Sequence, residues 1–449
     1  MSDDGPTIKP APYAAWRIPA FRFYAISWFL VMFSKMIESV AVGANLYAQT
    51  NDPLSLAWVG LVQAAPVMLL AIAGGQIADR FNRRTVILCT LAASVFASLG
   101  MFLRAFNDWP IEWMYVFLGI AAVCQAIGGP SRSSILPQIV PLEHFNNAVT
   151  WNSTVFQIAM MTGPAVGGLI CGTSANNQYA AAAFAAVFVC RTFSFLAMLC
   201  MKSPGNRAEL DSISLQSVIA GIRFVSRTKL ILATITMDLF AVLFGGLTYL
   251  LPVFASKEYL DVGTTGQGFL RSAEAVGAVC MAMLIAHLPP MKRAGRTLLW
   301  AVGGFGAATI VFGVSAKAAS SASVGASGFS FWFWLCMATM FFIGALDNIS
   351  VVVRHTLVQM LTPDAMRGRV SAVNNVFIVA SNDLGGFESG LTAKLFGPIL
   401  SVAAGGICTI LVVLGSVKIW PEILSIGSLQ DVKPADLAEA EEELADRGT

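Results

Sequence analysis

The stretch Gly74-Gly75-Gln76-Ile77-Ala78-Asp79-Arg80-Phe81-Asn82-Arg83-Arg84 decides how the chain is read. It separates two long apolar runs and packs three arginines and an aspartate between positions 79 and 84. A helix facing lipid cannot carry that charge, so the stretch is expected to be a short polar hairpin between two membrane spans. Arginines in a short loop put that loop on the cytoplasmic side. The glycines permit close helix approach, and Asn82 is one of the few non-glycine residues that tolerate a left-handed backbone. Asp79 is expected near the start of the following helix, where the helix dipole favours a carboxylate.

Composition agrees with a chain that lives mostly in lipid. Hydrophobic residues make up 56% and charged residues 12% of 449 positions, and a soluble domain carries about twice that charge. The net charge of +2 decides nothing, because the placement of the charges matters more than their sum. The first twenty residues are polar and proline-rich, unlike a cleavable signal, and Trp16, Arg17, Phe21 and Arg22 read as an interfacial lead-in to the first span. The eight cysteines lie in or beside apolar runs without a Cys-x-x-Cys pair, so they read as small core hydrophobes.

A span needs roughly twenty apolar residues. On that measure twelve are expected, over 21–48, 54–78, 85–106, 112–132, 146–171, 179–201, 229–255, 266–289, 297–317, 330–354, 370–396 and 399–419. Of the 28 lysines and arginines, Arg104, Lys257, Lys317 and Lys394 then fall near the outer face and Lys35, Arg191 and Arg271 inside spans. The rest lie on cytoplasmic segments, which places both termini inside. The expected organisation is a cytoplasmic and interfacial segment (1–20), a six-helix bundle (21–201), a cytoplasmic linker (202–228), a second bundle (229–419) and an acidic cytoplasmic tail (420–449). Ser217 to Arg227 in the linker has the pattern of a short amphipathic surface helix. The two halves are related: Arg132 to Leu169 aligns without a gap on Arg354 to Leu391, matching Arg132 with Arg354, Pro141 with Pro363, Asn152 with Asn374, Gly163 with Gly385 and Gly168 with Gly390.

The spacing Gly75-x-x-x-Asp79-Arg80-x-Asn82-Arg83-Arg84 resembles the loop 2–3 signature of the major facilitator superfamily, departing from it only at Asn82, where the family usually has glycine. Gly163-Pro164-Ala165-Val166-Gly167-Gly168 resembles the core of the family's antiporter signature, with Ala159 and Thr150 where upstream glycines are usual. Pro130 to Pro141 and Pro363 to Val370 look like the branch containing the enterobactin exporter and macrolide-efflux proteins. The resemblance implies an all-α fold of twelve transmembrane helices in two pseudo-symmetric six-helix bundles that rock about a central site. It further implies a monomeric inner-membrane exporter of small amphipathic molecules, siderophore or hydrophobic drug in type, exchanging them for protons. No cofactor, nucleic-acid partner or metal is implied. On this reading Gly75, Asp79, Arg80, Arg83, Arg84, Arg367 and Arg369 form a conformational latch, and Gly163, Pro164, Gly167 and Gly168 a kink. The arginine that many proton-coupled members carry in span 4, three residues before a glutamine, is replaced by Ala122 ahead of Gln125.

Ionisable residues inside spans are costly and are candidates for function. Lys35–Glu38 and Arg271–Glu274 are spaced to pair along one helix face, whereas Asp238 has no evident partner. Glu38, Asp238, Glu274, Asp383 and Glu388 are therefore the proton-coupling candidates, Asp238 and Glu38 ahead of Asp383 and Glu388, with Asp347 a further acid in span 10. Lys35, Gln63, Phe156, Gln157, Phe240 and Arg271 are the candidate cavity residues, with Phe33, Met36, Phe244 and Tyr249 as further liners. An uncoupled facilitator, a lipid transporter and a metal-cation transporter are alternatives. The last is disfavoured by three scattered histidines, His144, His287 and His355. Gly-x-Ser-x-Gly, His-Glu-x-x-His and Gly-x-x-x-x-Gly-Lys-Ser/Thr motifs are missing, which argues against an enzyme or an ATP-driven pump.

If loop 2–3 is a latch, Asp79→Asn leaves folding intact but impairs transport. Unchanged uptake into vesicles at equal expression would remove that role.

Overall fold

Lipid offers no hydrogen-bond partners to the backbone, so each apolar run closes its own bonds as a helix. The computed structural model describes residues 12–172, 177–202, 215–289, 291–321, 329–363 and 366–427. The acidic tail beyond 427, the first part of the linker and positions 364–365 of loop 10–11 lie outside the described residues.

The first half holds α1 (Pro19–Thr50), α2 (Pro53–Arg80), α3 (Arg83–Phe106), α4 (Glu112–Ile139), α5 (Leu142–Cys171) and α6 (Asn177–Cys200). A short linker helix, α7 (Leu215–Arg227), precedes the second half. That half holds α8 (Lys229–Phe244), α9 (Leu247–Phe254), α10 (Gly263–His287), α11 (Ala294–Ser321), α12 (Phe331–Leu361), α13 (Arg367–Phe396) and α14 (Pro398–Ile419). Among the described residues, eleven segments are long and apolar enough to cross a bilayer, with α8 and α9 together making one. The twelfth, α13, is 30 residues long but less apolar, since it carries Arg367, Arg369, Asp383, Glu388 and Lys394.

Two expectations about loop 2–3 are corrected. The loop is only Phe81 and Asn82, and Asn82 sits at φ −58° as the N-cap of α3, its side chain accepting from the Arg84 and Thr85 amides. A helix entry needs an acceptor there, which explains asparagine without a left-handed backbone. Asp79 lies in the last turn of α2, not at the start of α3. A third correction concerns span 7, which is broken at Gly245-Gly246 into α8 and α9.

The duplication is visible in the packing. A Cβ on Gly163 would lie 2.5 Å from Cβ of Met36, and the equivalent glycine, Gly385, packs on Val242 and Leu243 while Gly246 packs on Gly385. The next equivalent pair closes the two halves against each other. A Cβ on Gly168 of α5 would lie 2.7 Å from the Thr264 carbonyl of α10, and one on Gly390 of α13 would lie 2.7 Å from the Ala57 amide of α2. Around these contacts Thr265 N–H donates to the Gly172 carbonyl at 3.1 Å, Thr265 Oγ1 to the Gly168 carbonyl at 3.3 Å, and Lys394 pairs with Asp52 at 2.8 Å. All of these lie on the face opposite loop 2–3. Asp52 also caps α2 by accepting from the Leu54 amide at 3.0 Å. Burial alone would raise its pKa, but the hydrogen bonds from Lys394 and Leu54 and the Lys394 charge hold it below the ordinary carboxylate value. The pair is half-exposed, so it contributes no more than about 1 kcal/mol. That contribution is present at neutral pH and is lost as pH falls through the depressed value.

Gly168→Leu and Gly390→Leu both obstruct this closure, since overpacking costs about 1–3 kcal/mol. In a cysteine-free background, Leu56→Cys on the closed face is expected to react faster with a membrane-impermeant maleimide when either glycine is replaced. An unchanged rate would mean the glycines do not hold this face shut.

Candidate functional site: a cavity between the two halves

Behind the glycine contacts the halves enclose two adjoining cavities, of about 490 Å³ and about 440 Å³. They share Lys35, Glu38, Gln63, Leu118, Phe156 and Asp383 as walls. The larger lies towards the closed face and takes residues from both halves. The smaller runs along α1 and α4 towards the loop 2–3 face, reaching Tyr24, Trp28, Arg132 and Ser133.

The break in span 7 builds the polar side of the larger cavity. Leu247 N–H donates to the Gly245 carbonyl at 2.7 Å, so the chain turns tightly there and restarts as α9. Thr248 and Tyr249 follow at once. Tyr249 Oη donates to Asp383 at 2.6 Å and Thr248 Oγ1 to Glu274 at 3.1 Å. The Tyr249 ring fits only because position 386 is glycine, where a Cβ would sit 2.7 Å from the ring. Asp347 and Asn348 of α12 and Arg271 of α10 complete that wall. Arg271 is half-buried and makes no ion pair or hydrogen bond among the described residues.

The expected pairings along one helix face are not the ones formed. Glu38 pairs with Arg191 of α6 at 2.7 Å, and Lys35 donates to Gln125 of α4 at 2.8 Å. Glu38 and Arg191 are both buried, and since an unpaired buried charge is costly, the pair forms across helices where the fold brings the two together. Glu274 takes the Thr248 hydroxyl, not Arg271. Asp238 does have a partner: Arg354 of α12 forms an ion pair with it, with both side chains buried. Arg354 thus belongs to the interior of the bundle and not to a cytoplasmic loop. Arg104, expected near the outer surface, is likewise buried and donates to Asn45 at 2.8 Å and Gln49 at 2.6 Å.

Of the sequence-derived cavity residues, Lys35, Gln63, Phe156, Gln157 and Arg271 line the larger cavity, as do Met36 and Tyr249. Phe240 does not: it is 38% exposed on the outside of the bundle, stacked on Phe244. Among the acids, Glu38, Glu274 and Asp383 reach the cavity, whereas Asp238 and Glu388 are not among its walls. Glu388 instead accepts from Ser389 at 3.3 Å. Asp347 does line the cavity, and only its place as an acid in span 10 signalled it. Gly163 and Gly167 pack on Met36 and Ile37 of α1, while Pro164 is a wall of the cavity. Of the latch residues, Arg83 donates to the Ser134 carbonyl at 2.9 Å and Arg84 to the Leu199 carbonyl at 2.8 Å, both within the first half. Arg367 donates to the Gln359 carbonyl at 3.2 Å, Arg80 is exposed and Gly75 is buried.

Removing one member of a buried ion pair leaves the other charge uncompensated, at a cost of about 3–5 kcal/mol. Asp238→Asn should therefore lower the thermal unfolding temperature in detergent, and adding Arg354→Met should recover most of the loss. An Asp238→Asn protein as stable as the parent would dismiss the pair as a brace.

Residues 24–382 match the family described as the Major Facilitator Superfamily. The enterobactin exporter EntS of Shigella boydii serotype 18 is 22% identical over 389 residues, covering 86% of this chain and 88% of the relative. EntS of Escherichia coli O1:K1 / APEC aligns to the same extent. Among solved structures, a D-xylose-proton symporter superposes with a TM-score of 0.68 at 13% identity, over 92% of this chain and 100% of the symporter. A bacterial homologue of the human lysosomal transporter Spinster gives 0.62 at 15% identity, over 91% and 97%. At those identities the likeness to the solved structures is one of fold alone. With a family match across most of its length and two six-helix halves around a cavity, this chain belongs to the major facilitator superfamily and is a membrane transporter, not an enzyme.

Proposed function

We propose that the protein exports small amphipathic molecules across the inner membrane by alternating access, in exchange for protons, with both termini in the cytoplasm. The observation that carries this reading is the larger cavity, where Asp383, Glu274 and Asp347 stand among aromatic and amide side chains without an ion pair among the described residues. A carboxylate held by a hydroxyl but not by a cation can take up and release a proton as the cavity changes face. Asp383 is the first choice as carrier, since it borders both cavities and Lys35 lies on the same walls. Glu38 and Asp238 serve better as braces, each tied to a buried arginine. The relation to an enterobactin exporter supports the outward direction and a cargo of siderophore or hydrophobic-drug type.

Loop 2–3 then acts as the cytoplasmic latch, with Arg80, Arg83, Arg84, Arg367 and Arg369 engaging when that side closes. Ala122 in place of the span-4 arginine favours one alternative, a facilitator without coupling. In that case Gln125 is simply the hydrogen-bond partner of Lys35.

Purified protein in proteoliposomes distinguishes the two. Cargo-dependent proton movement should be present in the parent and absent in Asp383→Asn, with Glu274→Gln intermediate. Transport that ignores both the proton gradient and the Asp383 substitution would favour the facilitator.

A further inference from the structure

The duplicated chain carries an arginine at the same place in each half, Arg132 in α4 and Arg354 in α12, and the two meet different neighbours. Arg354 meets Asp238, which stands nine residues past the first residue of α8, and the charges cancel in a buried ion pair. Arg132 meets Trp28, which stands nine residues past the first residue of α1. The Arg132 guanidinium lies 5.3 Å from the Trp28 ring centroid, and its N–H groups make no hydrogen bond or ion pair among the described residues. The Met36–Gly163 and Gly246–Gly385 contacts keep the same two registers, so Trp28 and Asp238 are true counterparts.

That guanidinium borders the 440 Å³ cavity, not the bundle interior. The ionisable walls of this cavity are Lys35, Arg132 and Arg191 against Glu38 and Asp383, three cations to two carboxylates. Both carboxylates are already engaged, Glu38 by Arg191 and Asp383 by Tyr249. Beside Arg132 the wall carries an aromatic patch: Trp28 stacks on Phe156 at 6.3 Å with ring planes 19° apart, and Tyr24 also lines the cavity. Trp28 Nε1 and Asn152 Oδ1 also lack hydrogen-bond partners among the described residues. An arginine held over an aromatic ring keeps its N–H groups for other partners, and a guanidinium can meet a carboxylate with two parallel N–H donors.

We propose that this vestibule binds an aromatic carboxylate, the acid on the Arg132 guanidinium and the ring against Trp28 and Phe156. The second half keeps the arginine as a brace; the first half, with tryptophan in place of aspartate, leaves it free for a ligand. The site lies nearer the loop 2–3 face than the cavity used for the export reading, and its binding test requires no transport, so its failure leaves that reading standing.

The probe is radiolabelled 2-naphthoate, measured by equilibrium dialysis against the full chain in detergent, with protein-free micelles subtracted. Saturable binding is expected, weakened about tenfold or more by Arg132→Gln, the range for losing hydrogen bonds to a charged group. Neutral 2-naphthalenemethanol and inorganic phosphate should each compete poorly. Trp28→Asp keeps the test open if Arg132→Gln folds badly. It rebuilds the arrangement of the second half, so it should abolish 2-naphthoate binding while the thermal unfolding temperature holds or rises. Binding that survives both substitutions, or competition by the alcohol equal to that by unlabelled acid, would overturn the proposal. Competition by phosphate equal to that by the unlabelled acid would also overturn it.

Discussion

Everything in this fold depends on two backbone approaches, α5 onto α10 at Gly168 and α13 onto α2 at Gly390. Helices in lipid gain nothing from burying apolar surface against one another, so their association rests on how closely their atoms can pack. Side-chain-free positions let carbonyls and amides of opposite halves reach van der Waals contact. Because the two glycines are copies of one another, the contacts come as a pair, one on each side of the pseudo-symmetry axis. With that face held, the remaining separation between the halves becomes the cavity.

Charge is divided between two uses. Glu38–Arg191 ties α1 to α6, and Asp238–Arg354 ties α8 to α12, each pair buried within one half. Such pairs add little net stability over an apolar packing, but breaking one is costly, so they fix the internal arrangement of each half. Rocking needs bodies that keep their shape while the interface changes. Lys35, Arg271, Glu274, Asp347 and Asp383 face the cavity instead, where they are held by neutral hydrogen bonds or by none among the described residues. The same residue types are therefore either paired inside one half or left facing the cavity, according to which helix packs against them.

Twelve spans, the two halves and their relation by duplication were legible because they rest on patterns repeated along the chain: apolar runs, loop arginines and a gapless alignment. The partners of the buried charges were not, because pairing is a property of adjacent helices. The i,i+3 spacing suggested Lys35–Glu38, yet Arg191, far along the sequence, reaches Glu38 across the bundle. Asp238 read as solitary since Arg354 sits in another span, although the repeat had already marked Arg354 as special. Phe240 could not be told from a lining residue by type alone, since lipid and cavity both accept phenylalanine. The break at Gly245-Gly246 had a visible signal, two adjacent glycines in mid-span, which hydropathy averages away.

The polarity of α13 has a bearing on how the protein is made. On insertion scales a carboxylate or basic group near the middle of a helix costs about 2.5–3.5 kcal/mol, and α13 carries Asp383 and Glu388 within its span. Such a segment has little reason to leave the translocation channel for lipid on its own. Its polar face finds Tyr249 of α9, and its glycines find α2 and α8, all synthesised earlier. For this cavity-lining helix, entry into the bilayer is thus expected to lean on α2, α8 and α9 being already in place.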